Sequence, residues 1–241
     1  MKTLNILIFL LVFNTFILLG YLASEMTGEV TYERMSVNLT RVIDGDTIVY
    51  EIGNITQHVR LLGINTPEKK QPYYEEARDF LKQYGGREVA IEERGKDKYD
   101  RTLGYIFYNE EMLNKLILKQ GLASLYVYDK DEYYSGLEKA EEEARDAGIG
   151  LWKKSNNYGC IKIIDFNPID KNKDENETLI LQNECGISLK IIIKDDANHI
   201  YNEQIGANSK FERQFKDIFN DDGDSLYVRD DSGLLVFYRY P

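Results

Sequence analysis

Sulfur and imidazole are scarce in this sequence: its 241 residues hold two cysteines and two histidines. Two cysteines are too few for a disulfide-built scaffold or a cysteine-ligated zinc site. His58 and His199 lie far apart in the chain, which argues against a histidine-based metal cluster. Positive charge is also in short supply, with 30 Lys and Arg against 41 Asp and Glu and a net charge of −11. A protein that coats nucleic acid passively needs a broad basic surface from which to release counterions, and this balance argues against that role. A local grip on a single phosphate remains open. There is no internal repeat and no extended low-complexity tract. Chemistry in this chain must therefore run on carboxylates, arginines and tyrosines. The length suits one large domain or two small ones.

What is present begins with one long apolar run, "LNILIFLLVFNTFILLGYLA" (residues 4–23), which follows Lys2 and ends abruptly at "SEMTGE". It approaches the length that spans a bilayer, yet Asn14 and Thr15 weaken a span and "YLASE" is a poor cleavage site. A retained membrane anchor and a cleaved signal peptide over residues 1–24 both stay open, and a buried core helix is the bland alternative. Either targeting role places the remainder outside the cytoplasm. Sequons at Asn38, Asn54 and Asn176 permit glycosylation there.

From about Val37 the pattern changes to strands. "VNLTRVI" and "TIVYEI" are β-branched runs separated by "DGD", and the Gly-Asn of "EIGNIT" predicts a hairpin into "QHVRLLGI". "PYYEEARDFLKQY" reads as an amphipathic helix stopped by Gly85-Gly86. "REVAIEE" and "TLGYIFY" flank the charged loop "RGKDKYDR", and two helical patterns follow, "EMLNKLILKQG" and "YSGLEKAEEEARDAG". The order is three strands, a helix, two strands and two helices. It predicts an α+β domain over residues 36–155, a five-stranded OB-fold barrel with three helices. "KKSNNYG" reads as a linker. Residues 159–241 are strand-rich with polar turns and predict an all-β, immunoglobulin-like sandwich. Cys160 and Cys185 both fall in that part, where an even count behind an export signal permits a disulfide and two buried thiols are the alternative.

The stretch "VIDGDTIVYEIGNITQHVRLLGINTPE" places acids and an arginine at the ends of apolar strands. Asp44 and Asp46 form a hairpin turn or supply oxygen ligands to a hard cation. Arg60 sits inside an apolar strand, where an uncompensated guanidinium is costly. It needs an anionic partner, either a carboxylate or a phosphate held bidentately. Glu68 follows Pro67, which stiffens the backbone beneath it. Arg101 lies in a loop that also reads as a solvated charge run, and Trp152 closes a helix as a core residue.

These pieces resemble the thermonuclease, or staphylococcal-nuclease-like, family over about residues 38–152. The resemblance rests on "VIDGDT", "VRLLGINTPE", "DKYDRTLGYIF", "LNKLILKQGLA", "YVY" and "GLW" in consistent order. It implies an endonuclease that hydrolyses phosphodiester bonds of DNA and RNA, with Ca²⁺ as cofactor and 3′-phosphate products. It assigns Arg60, Glu68 and Arg101 to catalysis and Lys98, Tyr99, Tyr126 and Tyr128 to substrate binding. It assigns Asp46, Asn65, the backbone carbonyl of Thr66 and, through water, Asp44 to the metal. The chain is taken as a monomer. Residues after about Tyr158 resemble lamin-tail domains through "DFNP…NETLILQN" and "GDSLYVRDDSGLLV".

Three features depart from the nuclease pattern. Asn65 replaces a usual aspartate, which implies weak Ca²⁺ binding that Asn65→Asp should tighten. The loop after Glu68 is short and keeps only Lys69 and Lys70. The domain is acidic overall. A catalytically silent nucleic-acid-binding barrel and a surface structural or adhesion protein acting through the sandwich are the rival readings. No residue after Trp152 matches the family's site, so the sandwich is expected to be dispensable for hydrolysis.

Overall fold

The computed structural model describes residues 32–126, 130–168, 176–197, 199–220 and 223–240. The apolar run at 4–23 and Tyr128 lie outside the described residues. Among the described residues, no helix is long and apolar enough to cross a membrane.

β-branched runs form the first strands, as their residue pattern demands. β1 (Arg34–Val42) pairs antiparallel with β2 (Thr47–Ile52), which turns at Gly53 into β3 (Ile55–Leu61). After the short β4 (Gly63–Asn65) comes α1 (Tyr74–Lys82), which buries Ala77 and Leu81. β5 (Glu88–Lys96) returns beside β1, and β6 (Thr102–Tyr108) pairs with β5. β6 also pairs in parallel with β3, through Val59 to Thr102, Arg60 to Leu103 and Leu61 to Gly104. That pairing closes the five-stranded barrel expected from the sequence and leaves those strands no free edge there. β7 (Glu111–Met112) leads into α2 (Leu113–Lys119), and β8 (Ser124–Tyr126) pairs with β4 before α3 (Tyr134–Ala147). The core runs from Leu39, Ile48, Val59 and Leu61 in the strands to Leu81, Leu113, Ile117 and Leu137 in the helices.

The C-terminal part forms two sheets. β9 (Ile161–Asn167), β10 (Glu177–Asn183) and β13 (Lys210–Phe215) make one, in the order β13-β10-β9. β11 (Leu189–Lys194), β12 (Ile200–Ile205), β14 (Asp224–Asp230) and β15 (Gly233–Tyr240) make the other, in the order β12-β11-β14-β15. Leu179 and Leu181 from one sheet and Ile191, Ile193, Leu226 and Val228 from the other fill one shared core, as in a β-sandwich. Cys160 and Cys185 form a disulfide with Cα atoms 5.2 Å apart, joining the start of β9 to the end of β10.

The expected linker is held in place by specific bonds. Ser155 Oγ donates to Asp230 Oδ2 at 2.6 Å, and Asn157 Nδ2 donates to the same oxygen at 2.9 Å. Leu234 N donates to Lys153 O at 2.8 Å and Ser155 N to Leu234 O at 2.9 Å. Gly233 fits here because an added Cβ would lie 2.4 Å from Lys153 O, in a backbone with φ +153°. Trp152 is indeed core, but of a cluster that spans the two parts: it packs with Ala144 of α3 and with Tyr227, Leu234 and Phe237 of the sandwich. Arg34–Pro241 is accordingly one compact unit.

Candidate active site

The site starts from the turn between β1 and β2. Gly45 lets that turn press against its surroundings, since a Cβ there would lie 2.7 Å from Ala77 Cβ and 2.9 Å from Thr66 Cβ. The approach brings Asp46, buried, onto the end of β4. Thr66 donates to Asp46 Oδ2 through both its backbone N and its Oγ1, each at 2.9 Å. Thr47 Oγ1 donates to Asp46 Oδ1 at 3.2 Å. Asp46 N donates to Asp44 Oδ1 at 3.1 Å, so the two acids share one turn.

β3 sets Arg60 opposite Thr47, beside this pair. Its side chain is 15% exposed and its Nε lies 3.3 Å from Asp46 Oδ1. Nη1 donates to the carbonyls of Leu61 at 2.6 Å and Ile64 at 2.8 Å, and Nη2 to Asn65 Oδ1 at 3.4 Å. The anionic partner required by the sequence is therefore a carboxylate, Asp46. With one N–H on Nε and two on each Nη, these bonds leave one Nη2 hydrogen over. A bidentate phosphate grip from Arg60 would require it to exchange partners.

Arg101 offers the fork that Arg60 does not. Thr102 opens β6 next to Val59 of β3, so Arg101 enters beside Arg60's strand. Its Nε donates to Asp97 Oδ2 at 2.7 Å, its side chain is 34% exposed, and Tyr99, 69% exposed, stands beside it. Both Nη groups are without a hydrogen-bond partner among the described residues. Asp97 also accepts from the backbone N of Tyr99 and Arg101 at 2.9 and 3.0 Å, so it shapes the whole loop. In the sequence, the one signal for Asp97 is its four-residue spacing to Arg101. Lys98 Nζ lies 5.1 Å from the Tyr99 ring centre.

Glu68 is exposed in the turn after buried Pro67, with its N donating to Gln71 Oε1 at 3.0 Å. Tyr126, half-buried on β8, is paired with Gly63. Asp44, Asp46, Arg60, Asn65 and Thr66 thus form one bonded cluster, Glu68 follows it by two residues, and Arg101 immediately precedes the strand paired with that of Arg60.

Burial, with the neighbouring charge of Asp46, pushes the Asp44 carboxyl up to about 6. Asp46 pairs with Arg60, while Asp44 accepts from the Asp46 backbone within the same turn. No group of three or more His, Cys, Asp or Glu among the described residues could hold a metal alone. The donor set fits a hard cation only when the Asn65 amide oxygen and Thr66 carbonyl join the carboxylates, all of them oxygens.

Asn65 also departs from expectation in where its nitrogen goes. Nδ2 donates to the carbonyls of Asp196 at 3.0 Å and Ala197 at 3.3 Å, both in the sandwich. A carboxylate could not make either bond, and this gives a physical reason for an amide at this position.

The family description "Staphylococcal nuclease homologue" matches residues 58–154, beginning downstream of Asp44 and Asp46. The thermonuclease of Staphylococcus intermedius is 37% identical over 124 residues, covering 47% of this chain and 74% of the relative. The chain belongs to the staphylococcal nuclease family. The thermonuclease of Staphylococcus hyicus is 36% identical over 122 residues, covering 46% and 72% of the two chains. An uncharacterized endonuclease of Haemophilus influenzae is 34% identical over 127 residues, covering 52% and 70%. Family membership makes the chain a phosphodiester-hydrolysing nuclease.

Proposed function

We propose that the chain is an extracytoplasmic, Ca²⁺-dependent endonuclease that acts as a monomer on DNA and RNA and leaves 3′-phosphate ends. One observation carries this reading: the buried Asp46 carboxylate, bonded to Thr66 and set 3.3 Å from Arg60, with a second acid, Asp44, in the same turn. Asp46, Asn65, the Thr66 carbonyl and, through water, Asp44 would hold the cation, which when bound polarises the phosphoryl group and favours ionisation of a water.

The protein's own groups supply the rest. Glu68 takes a proton from the attacking water as its oxygen bonds to phosphorus and the bond to the 5′ oxygen breaks. That oxygen leaves as a hydroxyl after taking a proton from solvent. Charge building on the phosphoryl oxygens meets the two Nη groups of Arg101 and the remaining Nη2 hydrogen of Arg60. Tyr99 presents a ring face suited to stacking on a base of any identity. Lys98, Tyr126 and Tyr128 would bind the strand on either side.

The apolar leader at 4–23, as anchor or signal, and the Cys160–Cys185 bridge support a location outside the cytoplasm. The test is the rate of folded Glu68→Gln and Arg101→Gln chains on single-stranded DNA. Each should lose on the order of 10²-fold, and near-native turnover by either would overturn its role.

A further inference from the structure

A cavity of about 570 Å³ opens between barrel and sandwich. Asn65, Thr66 and Lys70 line it from the barrel, Lys153 from the junction, and Lys194 and Arg229 from the sandwich. Asn65 and Thr66 also bond to Arg60 and Asp46, so the cavity adjoins the nuclease site directly.

Its cations are poorly matched by the protein. Arg229 Nη2 donates to the carbonyl of Leu151, and Lys194 Nζ donates to the carbonyls of Asp195 at 2.8 Å and Ala197 at 2.6 Å. Among the described residues, neither side chain forms an ion pair with a carboxylate, nor does Lys70 or Lys153. A guanidinium has five donors, and the Leu151 carbonyl satisfies one of them. Burial lowers the pKa of both Lys194 and Arg229, the sign of cations removed from water without full compensation. Of the acids in the lining, Asp230 is engaged by Ser155, Asn157 and Ser232, while Glu76 and Asp231 are exposed at the mouth. Lys194 also feels the charges of Asp195, Asp196 and Asp224, yet among the described residues no carboxylate bonds it or Arg229 directly. An anion entering from the nuclease site would therefore meet cations with open donors in a partly desolvated space, where charge-assisted hydrogen bonds are strong.

We infer that this cavity is a second phosphate subsite of the nuclease, in which Arg229 and Lys194 of the sandwich, with Lys153 and Lys70, hold a backbone phosphodiester beside the scissile one. The inference rests on the nuclease reading of the adjoining cluster. It explains how a chain of net charge −11 retains a polyanion: the positive charge is gathered where the strand lies. It also gives the sandwich a part in substrate binding, against the sequence expectation that it is dispensable.

The test measures binding of a fluorescent single-stranded DNA of roughly ten nucleotides to the full chain, by anisotropy in chelator, across salt concentrations. Arg229→Gln and Lys153→Gln should each weaken binding about 5- to 10-fold and flatten the slope of log K against log salt by about 0.7, one phosphate contact on a single strand. Lys190→Gln, exposed on β11 and outside the cavity, should bind as the unaltered chain does. Arg229→Gln also loses a bond to Leu151, so Lys153→Gln, whose exposed side chain has no ion pair, keeps the test open if Arg229→Gln fails to fold. Wild-type binding by both cavity variants, or equal weakening by Lys190→Gln, would overturn the subsite. Hydrolysis of a dinucleotide by the unaltered chain is read separately. If binding behaves as described while the dinucleotide stays uncut in Ca²⁺, the nuclease reading fails, and with it the subsite as part of a nuclease, leaving a phosphate-binding cavity.

Discussion

At the scale of single residues, the two arginines are not equivalent. Arg60 is held by Asp46, Asn65 and two backbone carbonyls, whereas Arg101 is held through Nε by Asp97 and keeps its Nη fork available. Arg101→Lys should therefore lose most of what Arg101→Gln loses, because a point charge cannot reproduce a fork. Asp97→Asn, which only loosens the fork, should cost about 10-fold in kcat with little change in KM, as a misplaced group costs rate. Steady-state kinetics on one oligonucleotide checks both. Asn65 poses a different problem. Asn65→Asp adds charge for Ca²⁺ but forfeits two donors and sets a carboxylate against the carbonyls of Asp196 and Ala197. Without metal, the variant should be about 1–3 kcal/mol less stable to urea, the penalty of polar groups left unsatisfied. The sequence singled out the unusual amide but could not reveal its second partner, because Asn65 and Asp196 are 131 residues apart.

At the scale of elements, the barrel was legible and the junction was not. β-branched runs, the Gly-Asn hairpin and the Gly-Gly helix stop are local signals, and each yielded an element close to its expected place. "KKSNNYG" looked like a linker because polar residues without periodicity carry no local instruction. Its order comes from β14 and β15, through Asp230 and Leu234. Burial acts to raise the Asp230 carboxyl, but hydrogen bonds from Ser155, Asn157 and Ser232 outweigh it and hold the group below the usual carboxylate range. A carboxyl lower in the folded state than in the unfolded stabilises the fold above its unfolded pKa, and that contribution disappears as pH falls through the folded value. The stability difference between the wild type and Asp230→Asn, from urea unfolding, should therefore be full at pH 7 and shrink on acidification below about 4.

At the scale of the whole molecule, the two parts share a core and an ion pair. Trp152 lies among residues of α3, β14 and β15, and Glu141 of α3, wholly buried, takes Arg239 of β15 as its counter-ion. Such sharing couples the parts, so Arg34–Pro241 should unfold in one transition by calorimetry and by fluorescence. Trp152→Ala should lower the stability of that single transition by about 3–5 kcal/mol, typical of emptying a large aromatic site. Two separated transitions in the wild type would show that the junction does not couple them. The sequence revealed two architectures but not their union, because Glu141 and Arg239 are 98 residues apart and neither stands in a motif. The central claim is that the Asp46 cluster hydrolyses phosphodiester bonds with Ca²⁺. Its most direct test is cleavage of single-stranded DNA and RNA by the full chain, with Ca²⁺ or with chelator, followed by analysis of the new ends. Cleavage with Ca²⁺ that leaves 3′-phosphates, stops in chelator and falls on the order of 10²-fold or more in Asp46→Asn is the predicted result. A folded wild-type chain that leaves both nucleic acids intact in Ca²⁺ would contradict it.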